Sequence, residues 1–186
     1  MAKKIHQFFL KRNLNLSKFW LVIGSIKPDF ANDDINHYKD ESISIFYDEF
    51  AELKTINPEK NIRKFSLKLG ELYHYIADFF CHAHNNENMK ENYLYHFKYE
   101  WQLNKFAYNT NKKIFTLNNI EPYIYNLSLP QLMKYKHKEY LNKKVSFQND
   151  LVSAFEFSIF LTNKLIADTT HIKNVFNANS QLTIAK

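Results

Sequence analysis

The sequence has little of what sheets and tight turns are made from. Only two glycines and four prolines occur in 186 residues, well below an average share, which disfavours strand-and-turn architectures. A single cysteine, Cys81, excludes an intrachain disulfide. It fits a reducing compartment, so the expected location is cytoplasmic. No run reaches the about 18 apolar residues that a membrane-spanning helix needs. The apolar stretch Phe19–Ile26 is short, lies late, and leads into Lys27-Pro28-Asp29 without a small-residue cleavage site. It reads as a buried segment rather than a signal peptide. Basic blocks are missing too: Lys3-Lys4, Lys112-Lys113 and Lys143-Lys144 are pairs, although the net charge is +6 and the pI is near 9.2. That balance suits anionic partners such as phosphate esters, acidic lipid headgroups or nucleic acid, but its thin spread is first of all a solvated surface.

What is present is bulky and helical in period. Seventeen Phe and twelve Tyr supply core material. Helices are expected over 4–12, over 37–53 with apolar residues at 43, 46, 50 and 53, and over 93–108. A long helix is expected from Pro58, capped by Asn57, to about residue 85. Its core face would carry Ile62, Phe65, Leu69, Leu72, Ile76 and Phe79. The Asn-rich stretch 109–129 reads as a loop, 132–141 as a short helix, and 151–166 as a strongly apolar one. There is no repeat and no linker. The expectation is one all-α domain over residues 1–186.

The chemistry-bearing residues are the histidines at 6, 37, 74, 82, 84 and 96, all within the first 100 positions. Two helical pairings stand among them, His74-x-x-x-Asp78 and His96-x-x-x-Glu100. Residues four apart share a helix face, so each pair can aim an imidazole and a carboxylate at one point. Zinc takes these ligand types, and its catalytic sites keep a position open for water. One such pair is most often an exposed helix pair; two of them, with four more histidines and Asp29, point to metal. On helix geometry alone His74, Asp78, Cys81 and His82 form one stripe, with His84 aside.

The order of these residues resembles the bacterial zinc-dependent phospholipase C family. In that family an early His precedes Gly-x-x-x-Pro-Asp, matched here by His6 and Gly24-Ser-Ile-Lys-Pro-Asp29. A further His follows, here His37. Then come a helix with H-x-x-x-D-x-x-x-x-x-H, here His74, Asp78 and His84, and a second with H-x-x-x-E, here His96 and Glu100.

The resemblance implies a multi-helix, single-domain zinc fold and two zinc ions. Asp29, His37, His74 and Asp78 would hold one ion, and His84, His96 and Glu100 the other. A third ion would use His6 and Asp78, together with the processed N-terminal residue of relatives. The present chain is expected to depart there, because Phe19–Ile26 does not read as a signal peptide and Met1 lies close to His6. The resemblance also selects His84 over His82, provided that the helix ends near residue 83. Cys81 then reads as a buried thiol, His82 as a supporting or surface residue, and His137 and His171 as surface residues. The implied activity is cleavage of a phosphodiester by zinc-activated water, with Asp29 as ligand and general base, Glu100 as the alternative base, and Phe30 beside the headgroup. The implied substrate is a phospholipid headgroup, reached by transient contact with a membrane surface. Two other readings are a zinc-binding protein of the same fold without catalysis, and a single-strand-type zinc nuclease.

Overall fold

A computed structural model of the chain describes residues 1–11, 14–30, 39–110 and 127–168. Among the described residues there are eight α-helices and no strand: α1 (Ala2–Leu10), α2 (Lys18–Gly24), α3 (Lys39–Thr55), α4 (Ile62–Phe79), α5 (Glu87–Glu91), α6 (Tyr93–Asn109), α7 (Leu129–Leu141) and α8 (Phe147–Asp168). Two 3-10 turns, Pro28–Phe30 and His82–Asn85, lie between them. The fold is all-α, as the scarcity of turn residues implied. No helix among the described residues is long and apolar enough to cross a membrane.

The helix ends follow local side-chain chemistry. Helix α4 starts later than expected because Asn61, not Asn57, caps it, accepting the Lys64 N–H at 3.1 Å. Asn57 instead caps the preceding turn through the Glu59 N–H at 2.9 Å. Helix α7 starts earlier than expected, at Leu129. There Ser128 and Gln131 form a reciprocal capping box with a proline in the first turn. Most of the stretch expected as a loop, 109–129, lies outside the described residues.

Helix α4 is the centre of the molecule. Its apolar face buries Phe65, Leu69, Leu72, Tyr73, Ile76 and Phe79 against α2, α3 and α8. Phe79 meets Phe46 of α3 edge to face at 5.5 Å, a geometry that aromatic pairs favour. The Tyr73 hydroxyl, fully buried, is paired with Thr162 Oγ1 of α8 at 2.7 Å, so its burial leaves no unmet polar group. Lys68 ties α4 to α3 through Glu49 at 2.6 Å and Glu52 at 3.2 Å.

The two glycines of the chain face each other where α2 crosses α4. A Cβ on Gly24 would run into the Leu67 carbonyl, and a Cβ on Gly70 would collide with the Leu21 carbonyl and stand 2.9 Å from the Gly24 Cα. A backbone-to-backbone approach this close excludes every side chain. Gly70 lies one turn before His74, and Gly24 lies five residues before Asp29. The crossing therefore sets the distance between the segments that carry those two residues.

Candidate metal centre

Four segments deliver ligand-type side chains to two adjoining clusters. The first is the end of α4, where His74 and Asp78 are both buried and His74 Nε2 lies 3.1 Å from Asp78 Oδ2. The 3-10 turn after α2 adds Asp29, whose Oδ1 is 3.6 Å from the same His74 nitrogen. Asp29 is the open member of the group, with its side chain 55% exposed. The other ring nitrogen of His74, Nδ1, donates to the Ser25 carbonyl at 3.3 Å. Ser25 follows Gly24, so the glycine crossing also fixes the ring that faces the carboxylates. A carbonyl on Nδ1 leaves Nε2 of a neutral imidazole with the lone pair that a metal needs.

The second cluster is built from the turn after α4 and from α6. His84 Nε2 and His96 Nε2 both converge on Glu100 Oε1, at 2.9 Å and 3.1 Å, and the two rings meet at 4.5 Å. His84 Nε2 also lies 3.8 Å from Asp78 Oδ1, so Asp78 joins the two clusters. Cys81 stands at the rear: its Sγ and the ligand atoms of His84 and Glu100 lie within 4.8 Å of one another. Burial, helped by the charges of Asp150 and Glu100, pushes the Cys81 thiol well up. It stays protonated unless a metal displaces the proton.

The electrostatics of both clusters favour a cation. Burial works against the His74 imidazolium, yet the Asp78 hydrogen bond and the charges of Asp78 and Asp29 outweigh it and push the His74 pKa up to about 9. Burial likewise tends to raise Glu100, but the His84 hydrogen bond and the charges of His84 and His96 hold its carboxyl below the usual range. Tetrahedral zinc with ligands at about 2.0–2.1 Å separates its donor atoms by about 3.3 Å. The separations here, 2.9–3.8 Å, bracket that edge. Imidazole and carboxylate oxygen are also the donors that zinc accepts, so the residues present fit the ion.

The turn that places His84 is held by groups that sequence patterning does not single out. Helix α4 ends at Phe79, well before residue 85, because Asn85 folds back. Its amide donates to the carbonyls of Phe79 at 3.0 Å and Cys81 at 2.8 Å, satisfying acceptors that the helix end leaves open. The Asn85 Oδ1 in turn accepts from His137 Nε2 at 2.9 Å. His137 was expected on the surface and is instead buried; its partner lies 52 residues away, a distance at which local periodicity carries no signal.

Asp150, in the first turn of α8, is the second anchor and is almost fully buried. It accepts from the His82 N–H at 3.1 Å, from the Tyr99 hydroxyl at 2.7 Å and from the Tyr140 hydroxyl at 3.0 Å. One carboxylate thereby links the turn carrying His84, the helix carrying His96 and Glu100, and α7. Burial raises its pKa against these three donors.

The remaining expected residues fall elsewhere. His82 is half-buried; its ring takes a hydrogen bond from Asn86 at 3.4 Å and tilts over Tyr99 at 5.6 Å. His6 is buried on α1, with Nε2 donating to the Leu16 carbonyl at 2.9 Å. That bond leaves Nδ1 as its ligand nitrogen. His37 and His171 lie outside the described residues, as does the side chain of Phe30.

Comparison with known proteins adds one finding. A family described as zinc dependent phospholipase C matches residues 1–158, a span that takes in both clusters and most of α8. No curated protein and no solved structure matches the chain. On a match covering most of its length, the chain belongs to the zinc-dependent phospholipase C family.

Proposed function

We propose that this chain is a zinc-dependent hydrolase of phosphodiester bonds, acting on the headgroup ester of a phospholipid. The observation that carries the reading is the convergence of Asp29, His74, Asp78, His84, His96 and Glu100, from separate segments, at donor separations suited to zinc. Asp29, His74 and Asp78 would hold one ion, together with His37. His84, His96 and Glu100 would hold a second. A third, on His6 and Asp78, is the outermost part of the proposal. The family match supports a zinc-dependent phospholipase C-like role, and we read residues 1–186 as one domain because α1, α4 and α8 share a core.

Zinc supplies Lewis acidity toward phosphoryl oxygens and makes hydroxide available near neutral pH. The protein's own part is orientation and proton handling. Ser25 and Asp78 hold the His74 ring, and Glu100 holds His84 and His96. Asp29, at the open rim, is the carboxylate best placed to take a proton from water beside an entering phosphodiester, and Glu100, less exposed and engaged by two imidazoles, is the alternative. Phe30 follows Asp29 and is the aromatic nearest in sequence for a headgroup.

Elemental analysis of dialysed protein, followed by assays on a chromogenic phosphocholine ester, short-chain phosphatidylcholine and single-stranded nucleic acid, tests the reading. At least two zinc ions per chain and cleavage of a phosphocholine ester are expected. Asp29→Asn should then lose at least about 10²-fold in rate while keeping most of its metal. Fewer than one zinc per chain, or no cleavage by the zinc-replete protein, overturns it.

A further inference from the structure

Helix α6 has two unlike faces. The face with His96 and Glu100 meets His84 at the metal centre. A second face, about 110° further round the helix, carries Leu94, Phe97, Trp101 and Tyr108, which are 77%, 59%, 56% and 91% exposed. Their spacing places them in one stripe along about 21 Å of helix. Among them stand Lys98 and Lys105, both exposed, and the Lys105 ammonium lies 5.4 Å from the Trp101 ring. Glu100 is the single carboxylate between Tyr93 and Asn109, and it is turned to His84 and His96. The stripe is thus apolar, aromatic and purely cationic. No residue of α6 is buried, so these side chains are not the outer edge of a packed core.

From this we infer that the outer face of α6 is an interfacial docking surface for an anionic phospholipid bilayer. Aromatic and aliphatic side chains flanked by lysine are what a helix lying in a bilayer interface presents: the rings enter the headgroup boundary while the ammonium groups meet lipid phosphates. Charge complementarity selects this occupant over a second copy of the chain. A twofold contact along the stripe would set Lys98 and Lys105 against their own copies. Because one helix carries both the stripe and two ligands of the second cluster, docking would hold the metal centre at a fixed distance from its substrate layer. The inference rests on the phospholipid reading above for its purpose and on α6 alone for its surface.

Co-sedimentation of the full zinc-loaded chain with vesicles tests it, using phosphatidylcholine alone and phosphatidylcholine mixed with phosphatidylserine. Wild type is expected to bind the mixed vesicles more tightly, and high salt should weaken that preference. Phe97→Ser with Trp101→Ser should lower binding to both vesicle types by about tenfold or more. Lys98→Gln with Lys105→Gln should remove only the preference for phosphatidylserine. Zinc content and helical circular dichroism should stay at wild-type values in both variants. Binding is read without turnover, so the two proposals fail separately. A chain that binds vesicles but cleaves no phosphodiester keeps this surface and loses the catalytic reading. A chain that cleaves a soluble ester yet ignores both vesicles overturns the surface alone. The surface is equally overturned if the Phe97/Trp101 variant binds like wild type. It also falls if sedimentation velocity shows a dimer that this variant abolishes while no vesicle is bound.

Discussion

The two halves of the proposed metal centre are built by opposite means. His74 and Asp78 are buried on α4, with Asp29 at their open rim, beside the crossing where α2 and α4 touch backbone to backbone at Gly24 and Gly70 and α4 buries a long row of apolar residues. His84, His96 and Glu100 stand on a short turn and on a helix with no fully buried residue. The first half inherits its geometry from core packing. The second depends on a few hydrogen bonds, chiefly those of Asp150 and Asn85, and has more to gain from metal. Metal binding and folding are coupled wherever ligands come from elements that do not otherwise hold one another.

The largest expected effect tests the packed half. Gly70→Val would drive a branched side chain into the Leu21 backbone, where neither element can give way. A loss on the order of 3 kcal/mol is expected, equivalent to roughly 6–12 °C in a chain of this size. Thermal melts of zinc-loaded protein measure it. An unchanged melt would show that the crossing is not tight and that Asp29 owes its position to something else.

Next in size is the test of the second half. His84→Ala should lose about one zinc per chain, whereas His82→Ala should keep the full count. The His82 contribution to the site is its backbone N–H to Asp150, and substitution leaves that group in place. Elemental analysis of both variants decides. The reverse outcome would mean that the turn after Phe79 presents the other histidine to the metal.

That pair of histidines also shows what the sequence could and could not disclose. The ligand-type residues, the all-α class and most helix cores were readable, because periodicity and residue chemistry are local. The orientation of His84 was not, since a continued α4 would have aimed His82 with His74 and Asp78 instead. The helix stops because Asn85, backed by a histidine from α7, takes its last carbonyls, a long-range partnership with no local signature. Asp150 was invisible for the same reason. As a sequence symbol it is an acidic residue in the first turn of a helix, a common surface feature. Only the fold brings Tyr99, Tyr140 and His82 onto it. The start of α4 is ambiguous in sequence because two Asn caps compete, at 57 and 61, and the chain uses the later one for the helix.

A smaller effect is expected at Asp150. In Asp150→Asn an oxygen in the Oδ2 place can still accept from the His82 N–H and the Tyr99 hydroxyl, but the amide facing Tyr140 cannot accept, and the charge that draws both hydroxyls is lost. Groups behind metal ligands typically change affinity by about 10–100-fold. The lower end is expected here, confined to the ion on His84, His96 and Glu100. Competition with a chromophoric chelator should show one weakened site and one unchanged site. Equal weakening of both would indicate general loosening of the fold rather than loss of a specific brace.

The finest distinction between the halves is pH dependence, and it belongs to His74. In the metal-free chain its pKa stands at about 9, above the ordinary value near 6.5. A raised pKa contributes stability that is fully present below about 6.5 and is lost as the pH rises through about 9. The metal-free protein should therefore weaken over that window, by an amount on the order of 1–3 kcal/mol. The zinc-loaded protein needs the neutral imidazole and escapes this loss, because the metal has already displaced the proton. The gap between the two melting temperatures should widen steadily from pH 6.5 to 9, by a few degrees. In His74→Asn the widening should vanish, since no proton remains to be exchanged at that position. A gap that stays constant in the wild type would mean that zinc binds without touching His74, and the buried half of the centre would have to be redrawn around Asp78 alone.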